Sequence, residues 1–341
     1  MKTIYTDDHR LHHAACELIG GKMMPAFECP QRADIVLSRV KEVGLGPVIE
    51  PTRMGISAAA KVHDPKFVAF LESAWALWDA EHGDGSDALP MTWPARSLRQ
   101  IEPETIDGKL GFYSFDAGCG LTKTSFTAIA SGVEVAMTGV DLMLAGEKAA
   151  FSLCRPPGHH ATSDQMGGYC YLNNAAIAAQ VLTEAGRQVA ILDVDYHHGN
   201  GTQAIFYHRG DVFFTSLHGH PTQEYPYFLG YADEPGAGAG EGANLNLPLR
   251  WGSAWDVYGP ALDVACDGIS RFGADMLVVS LGLDTFEQDP ISKFKLKSDD
   301  YLRMGERIAK LGLPTLFIFE GGYAVEALGV NTANVLVGFE S

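Results

Sequence analysis

Two aspartates and a histidine alternate in the stretch Gln188-Val-Ala-Ile-Leu-Asp193-Val-Asp195-Tyr-His197-His198-Gly199-Asn200-Gly201. Carboxylates and imidazoles hold divalent cations and also move protons. The apolar run that opens the stretch reads as a strand buried on both faces of a parallel sheet. If the chain stays extended, its two-residue period puts Asp193, Asp195 and His197 on one side and Val194 and Tyr196 on the other. Ionised carboxylates at the end of a dry strand are costly unless paired. Two readings remain open: a divalent cation bound there, or an ionic network that orders loops.

Asp284 ends another apolar run, and with Asp195 and His197 makes a set of one imidazole and two carboxylates that leaves an open position for water. An oxygen-rich set also suits manganese or iron. Asp193 can act from behind by orienting an imidazole. His159 and His160 follow Arg155-Pro-Pro-Gly, a stiff loop from which two imidazoles can flank one water, with Asp193 and Asn200 as acceptors for their other ring nitrogens. The bland alternative is a solvent-facing pair. Tyr323, after Glu320-Gly-Gly, is a phenol donor for an oxyanion or else a surface plug. Tyr169 and Tyr225 either wall a channel for an alkyl chain or anchor loops, and His198 is read as turned away from the site.

The elements that must position these groups alternate. Strands are predicted at 2–6, 149–154, 189–195, 212–217, 276–281 and 315–320. Helices are predicted at 30–43, from near 57, after 65, after 124, and at 174–185, 201–208, 255–272, 299–311 and 327–339. Repeated strand–helix crossovers predict a mostly parallel sheet whose strand ends share one rim, where such folds place their sites. Residues 232–244 read as a flexible loop. Residues 80–120, broken by Pro90, Pro94 and Pro103 but carrying Trp93, Phe112, Tyr113 and Phe115, read as a long loop covered by something.

A chain of 341 residues, 46% hydrophobic, can fill one large α/β core. Its 42 acidic and 25 basic residues, net −17, argue against a nucleic-acid footprint and lean toward a cationic small substrate. The six cysteines form no CxxC pair and read as reduced thiols. The opening lacks a signal-peptide core and no eighteen apolar residues run together, so a cytoplasmic address without a membrane span is expected.

Taken together, Arg155-Pro-Pro-Gly-His-His160, Gly167-Gly-Tyr-Cys-Tyr-Leu-Asn173-Asn174, Asp193 through Gly201, Gly282-Leu-Asp284 and Glu320-Gly-Gly-Tyr323 resemble the zinc-dependent deacetylase family. That family shares the arginase/deacetylase fold and includes histone deacetylases and bacterial acetylpolyamine amidohydrolases. The opening, Phe27-Glu-Cys-Pro-Gln-Arg32, Asp284-Thr-Phe-Glu-Gln-Asp-Pro-Ile291 and the insertion near 80–120 look most similar to the latter. The resemblance implies a three-layer α/β fold in a single deacetylase domain over 1–341, with the inserted loop at about 80–120.

It also implies site roles. Asp195, His197 and Asp284 would hold Zn(2+), with Fe(2+), Co(2+) or Mn(2+) as substitutes. His160 would be the general base, His159 its partner, and Tyr323 the group that polarises the acyl carbonyl. Tyr169 and Tyr225, with Gly168, would line the tunnel. A structural K(+) would map onto Asp193, Asp195, His197, Ser216 and Leu217, and a second onto Phe206, Arg209, Val212 and Ala243.

Two departures stand out: Asn200 where several members have aspartate, and Tyr169 where phenylalanine is usual. The implied reaction is deacetylation of acetylputrescine, acetylcadaverine, acetylspermine or acetylspermidine, with Glu17, Glu102, Asp116 and Glu287 as candidate contacts for the distal ammonium. A homodimer through the 80–120 loop would narrow the tunnel mouth. Alternatives are a broad deacetylase of acetyl-lysine peptides or small N-acyl amines, a dimanganese hydrolase and a non-catalytic module. The last two fit less well, because further inward carboxylates are lacking and no catalytic group is missing.

Overall fold

The computed structural model describes all 341 residues. In chain order the first half contains β1 (Lys2–Ile4), β2 (Glu17–Ile19), β3 (Lys22–Met24), α1 (Gln31–Glu42), β4 (Val48–Ile49), α2 (Pro65–His82), α3 (Ile106–Phe112), α4 (Ser125–Leu144) and β5 (Ala149–Ser152). Then follow α5 (Asn174–Glu184), β6 (Val189–Asp193), α6 (Asn200–Phe206), β7 (Val212–Gly219), β8 (Asn244–Leu249), α7 (Trp255–Phe272), β9 (Met276–Leu281), α8 (Ser298–Ala309), β10 (Thr315–Phe319) and α9 (Val325–Glu340).

Eight strands form one sheet in the order β4-β1-β5-β10-β9-β6-β7-β8, with every pairing parallel. Alternate residues feed two cores. Val189 and Ile191 of β6 pack with apolar residues of α2, α4 and α5, while Ala190 and Leu192 pack with those of α1, α7, α8 and α9. The result is three layers, as expected for strands apolar on both faces. Helix α4 is long and apolar enough to cross a membrane, yet 72% of that stretch is buried inside the protein, as in a core helix.

Two expectations change and two elements were not foreseen. Strand β6 stops at Asp193 rather than 195, because the carboxylates take over from the ladder: Asp193 Oδ1 accepts the Asp195 N–H (3.1 Å) and Asp195 Oδ1 accepts the His197 N–H (3.0 Å). The helix expected near 57 is a single 3-10 turn, Ser57–Lys61. Strand β8 begins at Asn244, the last residue of the segment read as a loop, and was not anticipated; Pro248 is tolerated because β8 is an edge strand. The hairpin β2–β3 was also missed, although Gly20 and Gly21, with φ of 55° and 77°, are the residues a tight two-residue turn demands.

Residues 80–120 are less irregular than their sequence suggests. They contain α3, pair Ala88 with Leu121, bridge Ser114 to Met166, and tie Trp93 Nε1 to Ser114 Oγ at 3.0 Å.

The start of α1 is locked to the sheet rim by buried charge. Glu28 accepts from Arg155 Nε (2.7 Å) and Nη2 (2.8 Å) and from Arg32 Nη1 (2.9 Å). Arg32 also donates through Nε to the Gly322 carbonyl at 2.7 Å. Burial alone would raise the Glu28 carboxyl, but Arg155 and Arg32 outweigh it and hold it down at about 2. Its folded pKa is depressed, so this stabilisation is present above the ordinary carboxylate range and is lost only as pH falls toward 2. Glu28→Ala strands two buried guanidinium groups and is expected to cost about 3–5 kcal/mol in urea unfolding. Lys61→Ala, which removes an exposed partner of Glu184, is expected to cost less than about 1 kcal/mol.

Candidate active site

Strands β5, β10, β9 and β6 are consecutive neighbours in the sheet, so the loops that leave them meet on one rim. Those loops carry His159 and His160, Tyr323, Asp284, and Asp195 with His197, in that order. His197 Nδ1 lies 2.9 Å from Asp284 Oδ2 and 3.5 Å from Asp195 Oδ1. The three ligand atoms fall within 4.8 Å of one another in a buried setting. Backbone donors hold the remaining oxygens: Gly321 N–H to Asp195 Oδ2 (2.9 Å) and Tyr196 N–H to Asp284 Oδ1 (2.7 Å). A Cβ at Gly282 or Gly321 would overlap the Asp195 carboxylate, so both positions require glycine.

The Asp284 carboxyl is pushed up, by burial first and then by the neighbouring Asp195 charge. The ion pairs of these carboxylates are to histidine alone. Two like charges, one imidazole and no guanidinium or ammonium make a donor set that a divalent cation fits.

The paired histidines differ in their environments although their rings are only 4.0 Å apart. His159 Nδ1 faces Asp193 Oδ2 at 3.0 Å and His160 Nδ1 faces Asn200 Oδ1 at 2.7 Å. Burial alone would lower His159, but the Asp195 and Asp193 charges outweigh it and raise it to about 10. His160 is held well below its ordinary value by burial, and then by charge on His159 and His197. A cation at the three-residue cluster would draw on the same carboxylates and lower His159. The contrast between an aspartate and an amide partner remains. Since an amide oxygen only accepts, His160 carries its proton on Nδ1 and presents Nε2 as a base.

Tyr323 is anchored by its backbone N–H to Asp289 Oδ2 (2.7 Å), with the Arg32 guanidinium 4.7 Å from the ring centroid. Burial keeps the phenol well above its usual value, so it stays a neutral donor. Tyr323, His159, His160, Asp195 and His197 open onto a cavity of about 380 Å³, a size that suits a small ligand. Tyr169 and Tyr225 both line it. The Tyr225 ring stands edge-on to His160 at 5.1 Å, and Tyr169 edge-on to Tyr323 at 5.4 Å. Tyr169 has φ of 66°, rare for a residue with a Cβ. At Gly168, φ is 54° and a Cβ would overlap His160.

Of the four acidic residues expected to meet an ammonium group, two reach the cavity. Glu17 lines it while accepting from the Phe27 N–H (2.7 Å), and Asp116 lines it while accepting from Tyr225 Oη (2.7 Å) and the Gly168 N–H (3.0 Å). Glu102 and Glu287 do not line it. Glu102 pairs with Lys109 of α3 at 3.4 Å, and Glu287 lies where its backbone N–H bonds the Leu296 carbonyl at 2.9 Å. Both are drawn away by local folding that their sequence did not reveal. Glu224 was missed. It lines the cavity and is fixed by Tyr196 Oη (2.6 Å) and Trp251 Nε1 (3.1 Å), and only its adjacency to Tyr225 hinted at this.

The residues assigned to the first potassium site lie where β6 ends beside the interior of β7, with Asp193 and Ser216 in register. Those assigned to the second lie at the end of α6, the start of β7 and just before β8, and two of their carbonyls already accept a backbone N–H: Phe206 from Arg209 and Ala243 from Phe214, both 2.9 Å. His198 is buried and turned toward Gln203 Oε1 at 2.9 Å. Arg32, Glu28, Asp289 and Glu320 were not recognised as supports. A charged residue that is wholly buried looks like a surface residue until its partners are known.

The histone deacetylase domain model matches residues 26–339. Acetylpolyamine amidohydrolase 2 of Pseudomonas aeruginosa is 59% identical over 341 residues, covering 100% of this chain and 99% of its own length. Acetylpolyamine amidohydrolase of Mycoplana ramosa is 50% identical over 339 residues, covering 99% of each. The crystal structure of acetylpolyamine aminohydrolase from Burkholderia pseudomallei superposes with a TM-score of 0.95 at 38% identity, over 100% of this chain and 99% of that one. A shared sheet, a shared rim and a match that runs almost end to end lead to one conclusion: the chain belongs to the histone deacetylase family.

Proposed function

We propose that this protein is a zinc-dependent amidohydrolase that removes acetyl groups from N-acetylated polyamines, giving acetate and the free amine. One observation carries the reading: Asp195 and His197 of the three-residue cluster and the divided histidine pair line one small cavity together with carboxylates and tyrosines, with Asp284 buried behind them. Relatives named as acetylpolyamine amidohydrolases, at 50% and 59% identity, support the substrate class.

When bound, zinc supplies Lewis acidity to the acetyl oxygen and to the attacking water. His160, with Nδ1 engaged by Asn200, takes the proton from that water on Nε2. His159, held by Asp193, balances the charge that develops and protonates the leaving nitrogen. The Tyr323 phenol donates to the developing oxyanion. Tyr169 and Tyr225 keep water from the alkyl chain, while Glu17 and Asp116 face its cationic end.

Structural potassium would bind where β6 ends beside Ser216 and Leu217 of β7, and a second ion at Phe206, Arg209, Val212 and Ala243. A homodimer through residues 80–120 is supported by exposed apolar side chains there, with Met91 at 77% and Leu98 and Ile101 at 56%. Six unpaired thiols support a reducing, cytoplasmic setting.

Acetate release by zinc-loaded protein, compared between acetylputrescine, acetylcadaverine, N-acetylspermine and an acetyl-lysine peptide, tests the substrate. The small cations are expected to win and His160→Ala to be inactive. A peptide preference would overturn the substrate while leaving the chemistry. Tyr323→Phe is expected to keep its zinc and lose about 10²–10³ in kcat, as for removal of an oxyanion donor. Chelation is expected to abolish turnover and lower the unfolding temperature, with both restored by added zinc, because a ligand of the folded state stabilises it.

A further inference from the structure

Among the buried charges, Glu320 has no part in the steps above, yet it bonds directly to the main chain of the histidine loop. It follows β10, is 0% exposed, and lies under the loop that carries the histidine pair. Its Oε2 accepts two successive backbone donors of that loop, Gly158 N–H at 2.7 Å and His159 N–H at 3.2 Å. Its own backbone is fixed by Leu281 O, which accepts its N–H (3.0 Å), and by Arg32 Nη2, which donates to its carbonyl (2.5 Å). The next residue, Gly321, donates to Asp195, and Tyr323 follows two residues later.

The loop it holds belongs to no strand. On the far side of His159, the carbonyl accepts from the Gly201 and Thr202 N–H groups at 3.1 and 3.2 Å. Gly158 sits so close to the Leu172 carbonyl and the Asn174 N–H that a Cβ would come within 2.7 and 2.6 Å of them. The main chain of His159 is therefore gripped at its N–H by Glu320 and at its carbonyl by the start of α6. Where that main chain sits decides where both imidazoles point.

We propose that Glu320 is a positioning residue that sets the His159–His160 pair by holding its backbone as a hydrogen-bond acceptor. The inference rests on the amide-hydrolysis reading above. A wrongly placed base slows the chemical step without weakening substrate binding.

The test compares Glu320→Ala, Glu320→Gln and Glu320→Asp on acetylputrescine, with zinc content and unfolding temperature measured alongside. The alanine variant is expected to lose about 100-fold in kcat, the scale of a misplacement near 1 Å, with KM and zinc content close to wild type. Glutamine keeps an acceptor oxygen at full reach and is expected to recover most of that loss. Aspartate is charged but one methylene too short, and is expected to resemble alanine; it also serves if the alanine variant does not fold.

Aspartate or folded alanine protein with wild-type kcat, or a glutamine variant as slow as alanine, would overturn the inference. So would a lower unfolding temperature with unchanged turnover in the folded, zinc-loaded molecules. Wild-type protein that turned over while these variants matched it would sink the Glu320 role alone. Wild-type protein that released no acetate from any acetylated amine would sink the hydrolytic reading and this inference together.

Discussion

Negative charge gathered in a dry place is the constraint around which this molecule is built. Asp193, Asp195, Asp284 and Glu320 are all at most 1% exposed, and all stand where the strands of one parallel sheet end. Unpaired, such groups would oppose folding. Each is satisfied differently. Asp193 faces an imidazole, Glu320 accepts backbone N–H groups, and Asp195 and Asp284 share His197 in an arrangement that a divalent cation would complete. The features that make the rim costly also make it reactive, because in a water-poor setting a charge or dipole acts at nearly full strength.

Loops alone would not hold such a site. A second buried network does so from the N-terminal side, where Arg32 and Arg155 share Glu28 and Arg32 reaches the carbonyls of Glu320 and Gly322. The segment that carries Tyr323 is thereby tied to the start of α1, and the histidine loop to the end of β10. The groups proposed to carry the reaction come from four strand ends, but their backbones are stitched to one another by buried donors and acceptors. Preorganisation of this kind lets a small set of side chains act on a poor electrophile.

The mouth of the cavity has a different logic. Its walls are aromatic, and its carboxylates are engaged by neutral donors: Asp116 by Tyr225 and Gly168, Glu17 by Phe27, and Glu224 by Tyr196 and Trp251. None of the three carries an ion pair within the chain, so charge is left for a cationic ligand.

Much of this was legible in the sequence because it is local. Apolar runs ending in Asp193, Asp284 and Glu320 mark strands and their rim. The helices after Asn174, Trp255 and Ser298 follow from periodicity, and the family resemblance from contiguous motifs. The sequence by itself determined which chemical groups are available, that the sheet is parallel, and that its strand ends share a rim. Tertiary structure alone decided which carboxylates reach the cavity and which charges serve as supports. Glu102 and Glu287 are as acidic as Glu17 and Asp116, but α3 and the segment around Leu296 turn them away. Glu320 was legible as a strand end but not as a support, and the supporting roles of Arg32 and Asp289 emerge only when distant segments close over them. Periodicity and motifs are set by neighbours along the chain, whereas burial and pairing depend on segments hundreds of residues apart, as with Arg32 and Gly322.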